Sequence, residues 1–415
     1  MIKSLEYIIN LWTKTPFYYV LIRWDTSIGI ASDIIRISLV KATLTGRQVT
    51  FIRTRVPFGR SLFRSKYPSQ IYSVLESDVI RRERIIVRLL LECYYGIKYL
   101  VLSSALSFQN LRFCGYRQYL YGHEGLYDGS VSEIEHSNSN ISLRRLCRAF
   151  RDLPTIHLAS DYKYQCAQIL KQMGVINKWY VCLHIRSSHF YDDDAVYRNA
   201  SIKNYYEAID YIIQSGGVVI RVGDSIDNFI DLPRDGLIDY PNTEYKSELM
   251  DLYLIENCRF YIGTQSGPID TALLFNKPVL SVNSLHFAIA GTGTHNLTIY
   301  KRIRDTRSGF FLSFQESMAY YQYFITASHR EFCLQYEWIE NTKDEITDSV
   351  KEMILGLNAP QLPLTQLQRR ANRILRKKSL TYNFWRDLGH AQALCSRVLV
   401  GRSYLENWAR SIDVP

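Results

Sequence analysis

The sequence predicts an α/β protein: two Rossmann-like domains followed by C-terminal helices. Three observations lead there. Near the N-terminus a strand passes through a Gly-containing turn into a helix and then a second strand, the opening of a Rossmann-like unit. From Trp179 onward, short apolar runs without polar alternation are interleaved with helical segments, as in a parallel sheet covered on both faces. Between these stretches, a helix closed by Gly174 marks a boundary, which places the domains at 1–175 and 176–360 and a helical tail packing on the body at 361–415.

The elements follow in order. Tyr18 to Arg23 reads as a strand, WDTSIGIAS as a turn, Ala31 to Ala42 as a helix and GRQVTFIRT as a second strand. Ile85 to Phe108 is apolar, but Arg88, Glu92 and Lys98 interrupt it. A membrane span needs about 20 mostly apolar residues, so a buried helix followed by a strand at Lys98 to Leu102 fits better. Gln109 to Asn140 is polar, Gly-containing and aperiodic, a loop or insertion. Asp161 to Met173 is a helix.

In the second half, Trp179 to Ile185 is a strand, and Ile202 to Gln214 a helix with Tyr205, Ile209, Ile212 and Ile213 on its apolar side. Gly216 and Gly217 turn the chain into the strand VVIRV. Leu237 to Tyr240 and RFYIG are strands, Ser247 to Asn257 and Pro268 to Phe275 helices, and KPVLSV a strand. Gln361 to Trp408 reads as helices, with the basic, amphipathic stretch QLQRRANRILRKK. That stretch is either a solvated face or a contact for an anionic membrane surface.

Composition bounds the partners. With 47% hydrophobic residues the chain can build cores of ordinary size and is not disordered. A formal net charge of +10 calls for an acidic partner: a nucleotide diphosphate, nucleic acid or an anionic membrane. No zinc finger, RNP-type or basic-zipper pattern is present, so nucleic acid is set aside. The eight cysteines form no CxxC pair, which reads as reduced, mostly buried thiols in a cytoplasmic protein with no metal cluster. Lys3, Glu6, Lys14 and Arg23 break any signal-peptide pattern at the N-terminus.

Two motifs carry chemistry. The strand VCLHIR delivers Arg186 to a strand C-terminus, the edge where open α/β sheets bind ligands. A guanidinium there can contact phosphate through two bonds, or pair with an aspartate. His184 shares its side of the strand, as a ligand contact or as a satisfied buried histidine. In CRFYIGTQSGPID, a strand runs into GTQSG and a helix begins near Pro268. The backbone amides of Thr264, Gln265, Ser266 and Gly267 together with the helix dipole form an anion site, and Gly263 and Gly267 allow close approach. The alternative reading of Ser266 is a helix N-cap alone. The stretch is neither a P-loop nor GxGxxG. Both motifs fall at strand ends of one sheet and suit a diphosphate.

Further candidates occupy equivalent ends. Arg221 and Asp224 in VVIRVGD lie at the end of the intervening strand, where Asp224 could accept from a sugar or ribose hydroxyl, and Asp239 and Tyr240 in LIDY could bracket a nucleoside; Asp224, Asp239 and Tyr240 are each also explained by a turn. The triple aspartate Asp192 to Asp194 could hold Mg²⁺ or Mn²⁺. Inside a polar loop it reads first as solvated, then as a partner of Arg198 or of hydroxyls. Arg198 and Asn199 precede the helix at Ser201, where Asn199 contacts substrate or organises the turn.

The segment from Val181 to Ile299 resembles a family of bacterial glycosyltransferases associated with surface-polysaccharide biosynthesis, lipopolysaccharide included. The residues that carry the resemblance are VCLHIR, RNASI, GGVVIRVGD, LIDY, SELMDLYLIENCRFYIGTQSG and FNKPVLSVN. Its HxR element is similar to the donor-binding motif of fucosyltransferases. The resemblance implies a GT-B fold, with two Rossmann-like domains facing a cleft. The nucleoside-diphosphate sugar would sit in the C-terminal domain and a saccharide or lipid-linked acceptor in the N-terminal one. Arg186 would contact the donor diphosphate and Thr264 to Gly267 would cradle it, with no cofactor and no metal. The family carries a histidine after the early Ile-Gly, where this chain has Ile30. Asp25 is then the candidate base, because it follows the first strand; Asp33, His123, Glu124 and the triple aspartate are alternatives. Competing functions are a nucleotide-sugar-binding protein without turnover and a sugar-nucleotide epimerase. The basic tail suggests peripheral attachment at the inner membrane.

Overall fold

In the computed structural model, β1 (Phe17–Ile22) and β2 (Gln48–Arg53) pair in parallel, from Phe17 opposite Gln48 to Ile22 opposite Arg53. They are joined by α1 (Ile28–Thr45). A parallel pair needs such a crossover, so the expected β-α-β unit is present. The helix begins at Ile28 rather than Ala31, because Ile28, Gly29 and Ile30 continue its turn. Ile35, Leu39, Val40 and Ala42 are wholly buried along it. The structure describes residues 17–22, 28–46, 48–53, 75–76, 148–149, 152–187, 195–226, 229–285, 295–317, 334–359, 363–376 and 399–412. The expected helix and strand between Ile85 and Leu102, and the polar stretch 109–140, lie outside them.

The chain forms two compact units, Met1–Ala159 and Ser160–Pro415. The first holds the β1-α1-β2 unit and a short antiparallel pair, β3 (Leu75–Glu76) with β4 (His157–Leu158). The helix α2 (Ser160–Gln172) opens the second unit and ends at Gly174, whose φ of 83° is the left-handed geometry of a helix stop.

The second unit is built on seven strands. They are β5 (Tyr180–His184), β6 (Val218–Arg221), β7 (Leu237–Asp239), β8 (Phe260–Gly263), β9 (Val279–Ser284), β10 (Leu297–Tyr300) and, beyond a small antiparallel pair, β13 (Leu399–Val400). That pair is β11 (Arg302–Asp305) with β12 (Tyr336–Ile339). The order across the sheet is β7-β6-β5-β8-β9-β10-β13, all parallel. This is a doubly wound sheet: the chain works outward from β5 to one edge, then returns to β8 and works outward to the other.

Helices cover both faces. Along β5 the side chains alternate: Val181 and Leu183 join the core with α3 (Tyr206–Gln214). Tyr180 and Cys182 turn the other way, bonding through hydroxyl and thiol to the Leu254 carbonyl on α4 (Glu248–Asn257) at 3.1 and 3.3 Å. Burial on both faces removes any reason for polar alternation, so β5, β6 and β8 are buried throughout. α5 (Gly267–Leu274) packs beside α4, and α6 (Lys343–Asn358) beside α3. Thr342 caps α6 in a reciprocal capping box with Glu345.

The tail corrects one expectation. It is not helical alone: β13 adds an edge strand to the sheet between α7 (Gln366–Arg376) and α8 (Arg402–Ile412). Trp408 on α8 is 1% exposed, stacks edge-on against Phe314 and Tyr404, and donates its indole N–H to the Leu312 carbonyl at 3.0 Å. Ala371 and Gln368 of α7 are buried while Arg369, Arg370 and Arg373 are exposed, so the apolar face of this helix is occupied by the protein itself. No helix among the described residues is long and apolar enough to cross a membrane.

A candidate anion site at the switch of the sheet

The winding direction reverses between β5 and β8. Open α/β sheets bind ligands at the carboxyl ends of their strands at such a point. The residues after β5 and those after β8 are fastened together at this point. The Arg186 amide donates to the Thr264 hydroxyl at 2.9 Å, and the Thr264 amide donates to the His184 carbonyl at 3.1 Å. Thr264 is fully buried and Arg186 is 8% exposed. Two separately recognised motifs thus form one construction.

Ser266 occupies the N-cap position of α5 without making a side-chain cap bond. Its hydroxyl donates to the Thr264 carbonyl at 3.1 Å and lies 2.9 Å from His184 Nδ1. A hydroxyl has one proton. With that proton on Thr264, the bond to the ring is made by Nδ1–H, which leaves Nε2 as the bare nitrogen of a neutral imidazole. The ring stays neutral because its pKa is lowered to about 3, chiefly by burial and then by the charges of Arg221, Arg186 and Lys246. His184 therefore positions the GTQSG loop. Its ring also fixes Gly223: a Cβ there would come within 2.8 Å of His184 Cδ2, and φ at Gly223 is 117°. Because Ser266 is turned to His184, the first amides of α5 keep no side-chain cap, and a helix start in this state attracts anions.

Arg198 and Asn199 reach the same place. Arg198 ends a short 3-10 turn (Ala195–Arg198), and its Nη2 donates to the Gln265 carbonyl at 2.9 Å. The Ala200 amide donates to the Arg186 carbonyl at 3.1 Å. Gln265 Oε1 accepts from the Leu285 amide at 3.3 Å, which ties the loop to the end of β9. The buried Asn199 Oδ1 has no hydrogen-bond partner among the described residues.

Other expected contacts have structural partners. Tyr240 is a core residue: it is fully buried, and its hydroxyl closes on the Ser247 backbone at 3.0 Å. Burial raises its pKa well beyond any working range. Asp239 is held by the Arg221 guanidinium and by Asn242 Nδ2 at 2.9 Å, so it serves that ion pair and the turn at Pro241. Arg221 also donates to the Asp224 carbonyl at 3.0 Å and stacks 4.7 Å from the Phe229 ring centre, while its buried Nη2 has no hydrogen-bond partner among the described residues. Gly263 has a packing reason of its own: a Cβ there would sit 2.6 Å from the Tyr261 ring. Asp25, His123, Glu124 and Asp192 to Asp194 lie outside the described residues, and only the helical backbone of Asp33 is described.

One residue of the neighbourhood escapes the sequence patterns. Lys301 follows β10, is 4% exposed, and donates to the Asn199 carbonyl at 2.7 Å. The strand-end rule that selects Arg186 would have found it in LTIYK. Among the described residues no three His, Cys, Asp or Glu side chains gather as metal ligands. What the site offers is hydrogen-bond donors and cations at a buried strand edge, suited to a phosphate group.

No family model matches the chain, and no curated protein sequence matches it. Among solved structures, similarity extends to a family 9 glycosyl transferase from Veillonella parvula, with 10% identity over 64% of this chain and 80% of that one, at a TM-score of 0.38. It extends to the ADP-heptose lipopolysaccharide heptosyltransferase II of E. coli, with 11% identity over 64% and 84% of the two chains, at 0.34. The NodZ alpha-1,6-fucosyltransferase soaked with GDP-fucose overlaps with 13% identity over 62% and 92%, at 0.36. Overlaps this loose transfer no role to any residue of this chain.

Proposed function

We propose that this chain is a glycosyltransferase of GT-B type. It would transfer a sugar from a nucleoside-diphosphate sugar to a saccharide or lipid-linked glycan acceptor in bacterial surface-polysaccharide biosynthesis. One observation carries the reading: the strand-end arginine and the uncapped start of α5 are locked together by the Arg186–Thr264 bond at the switch point of the sheet. The sequence resemblance of Val181 to Ile299 to such glycosyltransferases supports it. The Thr264 amide is already bonded to the His184 carbonyl, so in this reading the diphosphate lies against the Gln265 to Gly267 amides with Arg186 beside it, and Arg198, Asn199, Arg221 and Asp224 complete the donor side.

The chemistry follows from charge. When the glycosidic bond to the donor breaks, negative charge grows on the leaving diphosphate. Fixed cations and amide dipoles stabilise that charge without reorganising. His184 contributes by holding Ser266 and the loop in place. The acceptor hydroxyl must lose a proton, and Asp25 in the first unit is the proposed base. No metal is assigned to a step. Attachment to the cytoplasmic face of the inner membrane would use the exposed arginines of α7.

The test is a release assay for nucleoside diphosphate with UDP-, GDP- and ADP-sugars, with and without a lipid-linked acceptor. Acceptor-dependent release is expected. Donor isomerised without acceptor would mark an epimerase, and donor bound without release a binding protein; either result overturns the proposal.

A further inference from the structure

Lys301 presents a problem that the fold alone does not explain. Its side chain is buried at the carboxyl end of β10, and its ammonium makes a single hydrogen bond, to the Asn199 carbonyl. Among the described residues it makes no ion pair. The carboxylate whose charge acts on it, Glu340, has its Oε2 on the Ser201 amide at 3.0 Å and on Asn204 Nδ2 at 3.1 Å. A buried ammonium without a counter-ion is costly, because desolvation is not offset by a partner. Burial accordingly lowers the Lys301 pKa to about 8, against the pull of Glu340. A charge tolerated in this state is one a ligand can neutralise.

Position says which ligand. The ammonium touches Asn199, the residue before Ala200, and Ala200 is bonded to the Arg186 carbonyl. Beside it Asn199 Oδ1 is buried and without a hydrogen-bond partner, and Arg198 is bonded to Gln265 in the loop ahead of α5. Lys301 thus reaches back from the end of β10 to the chain that crosses the switch point. Two of its three N–H donors remain for a ligand.

We infer that Lys301 is a further phosphate-binding residue of the donor site, its ammonium meeting an oxygen of the diphosphate opposite Arg186. This rests on the diphosphate reading proposed above and adds to it a cation from the end of β10, with the Asn199 amide oxygen left to accept a hydroxyl or amine of the same ligand.

The test titrates inorganic pyrophosphate into the full chain and into K301M, K301Q and R186A, and records a melting curve for each. Methionine fills the lysine stem without the charge. K301M is expected to melt at or above the wild-type temperature, since an uncompensated charge has gone, yet to bind pyrophosphate about tenfold more weakly. A merely structural lysine would give the reverse pattern: a lower melting temperature with wild-type affinity. Wild-type affinity in K301M overturns the inference. Should K301M not fold, K301Q, which keeps a donor to Asn199, replaces it under the same criteria. If R186A loses binding while the Lys301 variants keep it, the inference fails and the site stands. If the wild-type chain binds no pyrophosphate, the diphosphate reading itself fails.

Discussion

The Arg186 amide donates to the buried Thr264 hydroxyl at 2.9 Å, a side-chain bond that helps join the end of β5 to the loop after β8. T264V removes the acceptor while keeping the shape. It leaves a buried amide unsatisfied and should cost about 1–3 kcal/mol in urea unfolding. It should also weaken nucleotide-sugar binding, because the loop is no longer held to Arg186. A variant as stable as wild type would show that the two motifs are merely adjacent.

The neutral state of His184 has a pH signature. Its folded pKa is about 3 against an ordinary 6.5, so below 6.5 the unfolded chain takes up a proton that the native site refuses. This stability is present above 6.5 and is lost as pH falls towards 3. Its slope approaches about 1.4 kcal/mol per pH unit. Comparing wild type with H184Q by denaturant titration between about pH 4 and 7 isolates it from the carboxylates. Identical slopes in the two proteins would mean that the ring is protonated when folded.

Tyr240 and Arg186 lay equally open to a functional reading in the sequence, and packing separates them. Y240F removes a hydroxyl closed on Ser247 and should cost about 1 kcal/mol of stability. It should leave donor affinity within about twofold, since the interaction lost is an intramolecular one. A large loss of affinity would return Tyr240 to the site.

The contrast shows what sequence could carry. The apolar run ending in HIR and the turn GTQSG were legible because burial on both faces and strand-end polarity are local patterns. Their junction was not, since the order β6-β5-β8 is set by long-range pairing. Strand β13 went unread because two residues, Leu399 and Val400, leave no periodicity. The burial of Tyr240 was not legible because a tyrosine before proline looks the same whether its hydroxyl meets solvent or the Ser247 backbone. Lys301 was passed over because no motif surrounds it.

The tail invites a separate test. Deleting everything from Gln361 would strip β13 from the sheet and Trp408 from Phe314, so such a truncation should unfold the second unit and cannot report on membranes. W408A alone should cost about 3–5 kcal/mol. Replacing Arg369, Arg370 and Arg373 with glutamine keeps the buried face of α7 and should reduce cosedimentation with anionic vesicles. Unchanged cosedimentation would refute attachment through this helix.

The most direct measurement of the central claim is calorimetric titration of the donor nucleotide sugar into wild type and R186A, paired with nucleoside-diphosphate release. If the site lies at the β5–β8 switch, R186A should still fold and lose about tenfold to a hundredfold in donor affinity, with turnover falling in step. An R186A protein that binds and turns over the donor as wild type does would contradict the account.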